Sequence, residues 1–193
     1  MVGSLRDLQR ISFEAYLALE EKAQARHELV DGVLYAMAGA SSNHNLLVTN
    51  VSGLLWNKAR GSGCRVFSSD MKLRVDAFTS YYPDVMVVCE TDKAEYYKER
   101  PCLLVEVLSP STEATDRREK LAKYRQIPSL RAYVLVDSLS RRVEAYYREG
   151  QNWLYLDVVR EGSLPIPCPE MSLCLDEVYE GLDVPYERPA DEA

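Results

Sequence analysis

Hydrophobic positions change their spacing along the chain, and each change marks a predicted element. In residues 12–21 they follow a helical period behind Ser12, a residue suited to cap a helix N-terminus. Asp31-Gly32 lies between two apolar runs and predicts a β-hairpin, because both central residues of such a turn need positive φ. Helical spacing returns over residues 42–60, and Gly61 supplies the stop.

The middle of the chain has the pattern of β-strands. Residues 64–75, 83–89 and 102–108 predict three strands, the last two nearly continuous in Val, Leu and Met. Strands of that composition are buried on both faces, so they belong at the centre of a sheet with covering helices. A helix is predicted next over 116–126, with Asp116 as N-cap, Glu119 at capping-box spacing and Pro128 beyond its end.

Further strands are predicted over 131–136, 141–147 and 153–158, and the proline-rich last thirty-odd residues are expected to be extended, with one helical turn near 176–179. The fold class is therefore α/β: a mixed central sheet flanked by helices, with an N-terminal helix and hairpin. We expect a single domain over residues 1–193, with its core over about 12–160 and a Pro-rich C-terminal extension over about 161–193.

Composition narrows the class of protein. A hydrophobic fraction of 47% excludes a disordered chain. No apolar run approaches the roughly 18 residues of a membrane span, and residues 1–7 lack the apolar segment of a signal peptide. We therefore expect a cytoplasmic protein without a membrane partner.

Charge and cysteine content add two constraints. The net charge of −7 is unlike that of a general nucleic-acid coat protein, so polyanion binding would need a local basic patch. The five cysteines include no Cys-x-x-Cys pair, and the chain has only two histidines, which argues against a zinc cage. The cysteines are expected to be reduced and structural, with Cys89 and Cys102 as ordinary buried thiols.

Glu106 stands inside the apolar run Leu-Leu-Val-Glu-Val-Leu, where an unpaired carboxylate would cost several kcal/mol. It is explained either by a structural ion pair or a strand end that reaches solvent, or by a metal site. Asp84 follows Pro83 at a strand entrance, where it is a turn cap or a second acid facing the same side as Glu106. Two converging carboxylates with oxygen ligands alone suit Mg²⁺ or Mn²⁺.

Lys120 is the candidate cation beside this pair. Its ordinary role would be a surface salt bridge with Asp116 at i,i+4 spacing. Its helix, however, gathers five cations in an acidic protein: Arg117, Arg118, Lys120, Lys123 and Arg125. A basic helix next to two carboxylates is what a metal-dependent enzyme acting on phosphodiesters needs.

The ordered set of motifs resembles the Uma-two family of restriction-endonuclease-like proteins. It comprises Arg-His-Glu-Leu-Val-Asp-Gly at 26–32, Tyr-Pro-Asp-Val at 82–85, Val-Glu-Val-Leu-Ser-Pro-Ser-Thr at 105–112, and Asp116, Lys120 and Tyr124 at four-residue intervals. The similarity covers about residues 12–147. It implies the restriction-endonuclease-like fold, whose superfamily motif is Pro-Asp followed by Asp or Glu, any residue, and Lys.

The resemblance also implies roles for particular residues. Asp84 matches the motif aspartate and Glu106 the motif acid, while position 108 holds Leu where the motif has Lys, and Lys120 matches the place to which the family moves it. The implied metal ligands are Asp84, Glu106 and the main-chain carbonyl of Val107. Three further residues match family positions. They have ordinary explanations that fit equally well: Glu28 as an exposed strand residue beside a turn, Asp116 as a helix cap, and Tyr124 as a core aromatic.

The implied activity is Mg²⁺- or Mn²⁺-assisted hydrolysis of a nucleic-acid phosphodiester, with DNA the expected substrate and a homodimer the expected assembly. The main alternative is a catalytically inactive nuclease-fold domain that binds nucleic acid or protein; a phosphodiesterase acting on small nucleotides is a third. His44, just after Ser41-Ser42-Asn43, is interpreted as a polar helix-start residue and left out of the catalytic set.

Overall fold

The computed structural model describes residues 10–188, so the expectations about residues 1–7 and about Pro189 lie outside the described range. Its helices are α1 (Phe13–Glu20), α2 (Ser42–Ala59), α3 (Glu113–Thr115), α4 (Leu121–Tyr124) and α5 (Leu175–Val178), with a π-helical stretch (Asp116–Lys120) joining α3 to α4. Its strands are β1 (His27–Val30), β2 (Val33–Ala36), β3 (Arg65–Ser68), β4 (Lys72–Asp76), β5 (Thr79–Tyr81), β6 (Val85–Val88), β7 (Tyr97–Lys98), β8 (Leu103–Leu108), β9 (Ala132–Asp137), β10 (Arg142–Glu149), β11 (Asn152–Val159), β12 (Ser163–Pro167) and β13 (Glu170–Cys174).

The central sheet has six strands in the order β11-β10-β9-β8-β6-β3. Its only parallel pair is β8–β9, so the sheet is mixed, as predicted. Every residue of β6, β8 and β9 is buried, which is what their continuous apolar sequences predict for central strands. Alternate residues of the central strands point to opposite faces of the sheet, and each face has its own hydrophobic core. The first core also contains residues of α2, α5 and the β12–β13 hairpin, and the second also contains Tyr124, Ile127 and Leu130.

The N-terminal predictions are confirmed by capping and turn geometry. The Ser12 hydroxyl accepts a hydrogen bond from the Ala15 N–H at 3.2 Å and caps α1. Asp31 and Gly32 have φ of 49° and 86°, and they join β1 to β2 as an antiparallel hairpin.

A single strand over residues 64–75 is wrong. The chain turns at Ser69, whose φ is 53°, and divides into β3 in the six-stranded sheet and β4 in a second sheet of order β2-β1-β5-β4-β7. Short strands β5 and β7 complete that second sheet and were not predicted. Ser68-Ser69-Asp70 is a short cluster of turn-favouring residues, and the strand prediction, which followed only the apolar positions on either side, overlooked it.

Asp116 as a helix N-cap is also wrong. The helical segment begins at Glu113, and Asp116 is buried inside it at the start of the π-helical stretch. The Tyr133 hydroxyl donates to the Asp116 carbonyl at 3.1 Å, so a side chain occupies the backbone ladder where the helix widens. Glu119 makes no capping box; its Oε1 accepts from the Tyr81 hydroxyl at 2.9 Å.

The cysteines correct a third expectation. Cys64 is bonded to Cys89 and Cys102 to Cys168, so four of the five cysteines form disulfides and are not reduced thiols. Cys174 is free. The segment that contains Cys168 is extended, as predicted, and pairs with itself as the β12–β13 hairpin. No helix within residues 10–188 has the length and apolarity that a membrane crossing requires.

Candidate active site

Asp84 and Glu106 lie at the junction of two neighbouring strands. In the antiparallel pair β6–β8, Val85 stands opposite Val105, and one further step of the same register sets Asp84 opposite Glu106. Residues directly opposite each other in antiparallel strands project from the same face of the sheet. Asp84 Oδ2 also accepts the Val107 N–H at 2.7 Å, which fixes its carboxylate beside β8.

Lys120 lies at the centre of the acids and not on the surface. Its Nζ is 3.2 Å from Glu106 Oε1, 3.3 Å from Glu28 Oε1 and 3.1 Å from Asp116 Oδ1. Only 8% of the Lys120 side chain and 3% of the Glu106 side chain are exposed. The i,i+4 pair with Asp116 exists, but both partners are buried, so the sequence-based surface alternative does not apply.

The helical segment directs three side chains into this space. Asp116, Lys120 and Tyr124 are spaced by four residues, and residues at that spacing lie on one side of a helical segment. Tyr124 lies one turn further on, and its hydroxyl donates to Glu106 Oε1 at 2.8 Å. The structure thus brings together all the predicted residues, including Glu28 from β1, whose Oε1 also accepts the Tyr82 N–H at 3.3 Å.

Burial and charge set the protonation of the cluster. Burial raises the pKa of Glu106 well above its usual range; Lys120 opposes this rise, while Asp116, Asp84 and Glu28 add to it. Burial lowers the pKa of Lys120, but attraction to the surrounding carboxylates outweighs it, and the pKa is raised well above its usual range. The raised pKa favours the ammonium form of Lys120, which donates hydrogen bonds.

His44 belongs to the site although the sequence interpretation left it out. It lies in the first turn of α2, where its N–H donates to the Ser41 hydroxyl at 3.2 Å, and its Nε2 is 3.2 Å from Asp84 Oδ2. Burial lowers the pKa of His44, but Asp84, Asp116 and the Val107 carbonyl together raise it above its usual value. Helical periodicity shows which face α2 buries; it does not show that the helix begins beside β6.

The donor set fits a hard divalent ion. Asp84 Oδ2 and Glu106 Oε1 carry the contacts described above, and within residues 10–188 no hydrogen bond or ion pair uses Asp84 Oδ1 or Glu106 Oε2. Val107 follows Glu106 on β8 and its N–H contacts Asp84 Oδ2, so its backbone lies beside both acids. Two carboxylate oxygens and a carbonyl are ligands that Mg²⁺ and Mn²⁺ accept.

The predicted basic helix supplies less free charge than its sequence suggests. Lys120 points inward, Arg117 pairs with Glu113 and Glu144, and Lys123 pairs with Asp31 at 2.5 Å. Arg118 is exposed and forms no ion pair with any other residue in the 10–188 range.

Comparison with known proteins agrees with this architecture. The Uma2 family, described as "Putative restriction endonuclease", matches residues 13–176. Two proteins of Synechocystis sp. (strain ATCC 27184 / PCC 6803 / Kazusa) are similar to the chain. Uncharacterized protein slr1290 is 37% identical over 177 residues, covering 90% of this chain and 93% of its own. Uncharacterized protein sll1609 is 39% identical over 154 residues, covering 77% and 87% respectively.

A solved structure shares the fold. The crystal structure of a putative nuclease belonging to DUF820 from Anabaena variabilis ATCC 29413 matches with a TM-score of 0.71 at 16% identity. The match covers 87% of this chain and 97% of that one. At this identity the likeness shows the fold alone, a mixed α/β arrangement.

Proposed function

This chain belongs to the Uma2 family, and we propose that it is an endonuclease that hydrolyses DNA phosphodiester bonds with the help of Mg²⁺ or Mn²⁺. The observation that carries the proposal is the convergence of Asp84 and Glu106 on one face of the sheet, next to a buried lysine. Carboxylates that face one another in this way repel unless cations lie among them. His44 and Lys120 supply part of that positive charge, and a divalent ion would supply the rest.

Asp84, Glu106 and the Val107 carbonyl would hold the ion. When bound, it supplies a water of lowered pKa and positive charge for the phosphorane that forms during hydrolysis. The Tyr124 hydroxyl fixes the Glu106 carboxylate, and the Val107 N–H fixes that of Asp84, so both present their other oxygens in constant positions.

Lys120 stabilises negative charge and does not remove a proton. Its ammonium can donate to an oxygen of the scissile phosphate or orient the attacking water. Because three carboxylates hold the ammonium in place, little reorganisation is needed when charge develops on the substrate. Arg118, exposed on the same helical segment, is available for a phosphate of the DNA backbone.

A divalent-ion-dependent nicking assay on supercoiled plasmid tests the proposal. Wild-type protein should nick with Mg²⁺ or Mn²⁺ and stop with EDTA, whereas Glu106→Gln should lose nicking and show weaker Mn²⁺ binding by calorimetry. Glu149→Gln is the matched control, because Glu149 is exposed at the end of β10, and it should behave as wild type. Nicking by Glu106→Gln at the wild-type rate would overturn the assigned role.

The alternative of a non-catalytic domain is favoured by one observation: the ammonium of Lys120 already contacts three carboxylates in a chain of net charge −7. It predicts nucleic-acid or protein binding without cleavage, and no change in melting temperature when Mn²⁺ is added. An ion that binds the folded state must raise that temperature. Homodimer formation stays a prediction, to be measured by light scattering.

A further inference from the structure

Four cysteines converge at the end of the six-stranded sheet that is remote from the candidate active site. Cys64 precedes β3 and Cys89 follows β6, and the register of these strands sets them opposite each other with Cα atoms 3.9 Å apart. Cys102 precedes β8, and Cys168 lies in the turn between β12 and β13. The four residues of β6 separate Cys89 from Asp84, so the two lie five residue steps or roughly 16 Å apart along the strand.

The two disulfides form one cluster of sulfur atoms. Cys89 Sγ is 3.4 Å from Cys102 Sγ, a contact between the two bridges, and the sulfurs of Cys89, Cys102 and Cys168 all lie within 4.8 Å of one another. The stability that a disulfide contributes depends on the loop that it closes. Contact between two structural disulfides therefore adds no stability of this kind. Four sulfurs from four separate chain segments are more typical of a metal-ligand set than of two independent structural disulfides.

The dimensions suit a tetrahedral soft ion. Zn²⁺ binds thiolates at about 2.3 Å, which puts the sulfurs of a four-cysteine site about 3.8 Å apart. The distance between Cys89 Sγ and Cys102 Sγ, 3.4 Å, is already close to this value. Once the disulfides are opened, rotation about the cysteine side chains would bring the bonded sulfurs apart to the same spacing. Strand ends and a hairpin turn hold the cysteines, so the positions of Cys89, Cys102 and Cys168 are preformed, and the Cys64 side chain, bonded to Cys89, must rotate to supply the fourth sulfur.

The surroundings suit the charge of such a centre. Zn²⁺ with four thiolates carries two negative charges. Arg65 follows Cys64 directly, and Arg131 lies beside the second pair: its N–H donates to the Cys102 carbonyl at 2.9 Å and its guanidinium to the Pro167 carbonyl at 2.9 Å. A cavity of about 530 Å³ opens beside Cys89 and provides an entry path. Its lining is charge-balanced, with the cations Arg65, Lys93 and Lys98 and the acids Glu90, Asp92 and Glu95.

We propose that Cys64, Cys89, Cys102 and Cys168 form a four-thiolate zinc site in the reduced protein, and that the two disulfides are the oxidised, metal-free state of the same cluster. Opening both bridges takes four electrons and four protons, which two molecules of a dithiol reductant provide as they become disulfides. Zn²⁺ then replaces the four thiol protons, which pass to solvent. The site is independent of the carboxylates near Lys120, which offer oxygen donors only.

Cobalt substitution tests the proposal on the full chain. The protein is reduced with a water-soluble phosphine, freed of metal and titrated anaerobically with Co²⁺. We expect one equivalent to produce the sulfur-to-cobalt charge-transfer absorption and the intense visible bands of tetrahedral thiolate coordination, and one equivalent of Zn²⁺ to abolish them. Absence of these bands in reduced wild-type protein would overturn the proposal.

Variants locate the site. Cys102→Ser and Cys64→Ser should each lower the affinity at least tenfold and alter the spectrum, whereas Cys174→Ser, which removes the free cysteine, should leave both unchanged. Glu106→Gln should also retain the cobalt spectrum, since it changes only the carboxylate site. Unaltered bands in Cys102→Ser would reject the assignment, and if that variant does not fold, Cys64→Ser and the wild-type titration decide it.

Discussion

Replacing Lys120 by methionine tests whether this ammonium holds the acidic cluster together. The substitution keeps the length of the side chain and removes its charge. At an effective dielectric constant of about 20, each contact near 3.2 Å has a gross attraction of about 5 kcal/mol, most of which desolvation offsets. Removing one partner of a buried ion pair costs about 3–5 kcal/mol. The melting temperature should therefore fall by roughly 6–20 °C.

Lys123→Met is the matched control, three residues further along the helical segment. Lys123 pairs with Asp31 and Asp76, whose side chains are 62% and 42% exposed, and exposed pairs contribute about 0–1 kcal/mol. Scanning calorimetry of both variants, without and with Mn²⁺, gives the comparison. If Lys120→Met lowers the melting temperature no more than Lys123→Met, the acids do not depend on the lysine and the proposed electrostatics is wrong.

The loss in Lys120→Met should depend on pH. The pKa of Glu106 is raised by burial and held down by Lys120, so it rises further when the lysine is absent. A raised folded-state pKa means that the folded chain keeps the proton, and stability falls as pH increases through that pKa. The variant should therefore be closer to wild type at about pH 5 than at about pH 8.

Three smaller changes probe neighbouring contacts. Tyr124→Phe removes the hydroxyl that donates to Glu106, so it should cost about 1.5–3 kcal/mol in urea unfolding and weaken Mn²⁺ binding in calorimetry; an unchanged Mn²⁺ affinity would show that the hydroxyl does not position the Glu106 carboxylate. Because the pKa of His44 is raised, its proton should compete with metal, so Mn²⁺ affinity by calorimetry should increase with pH in wild type and less steeply in His44→Asn. Gly32→Ala should destabilise the chain by more than about 1 kcal/mol in the same urea assay, since φ is +86° and a Cβ would lie 2.6 Å from the Arg10 Cβ; an unchanged midpoint would refute this.

The central sheet was predictable because strands that are buried on both faces have nearly continuous apolar sequences. The apolar runs around Glu106 and Val134 give β8 and β9 nearly at their observed bounds. The Asp-Gly hairpin and the Ser12 cap were predictable for a local reason, since their conformations depend on a few adjacent residues. The division of residues 64–75 between two sheets was not, because both halves are apolar enough to be strands in either.

The sequence by itself singled out Glu106, because a carboxylate inside an apolar strand requires a partner wherever that strand is placed, and the strand pattern with the family resemblance added Asp84 and Lys120 as its expected neighbours. Only the tertiary structure decided what that partner is: Lys120 turned inward through a π-helical stretch, and His44 was brought to Asp84 by the start of a helix forty residues earlier in the chain. The cysteine cluster joins segments from residue 64 to residue 168 in the same way. The local sequence shows that a buried polar residue requires a partner, whereas the packing of separate elements determines which distant residue becomes that partner.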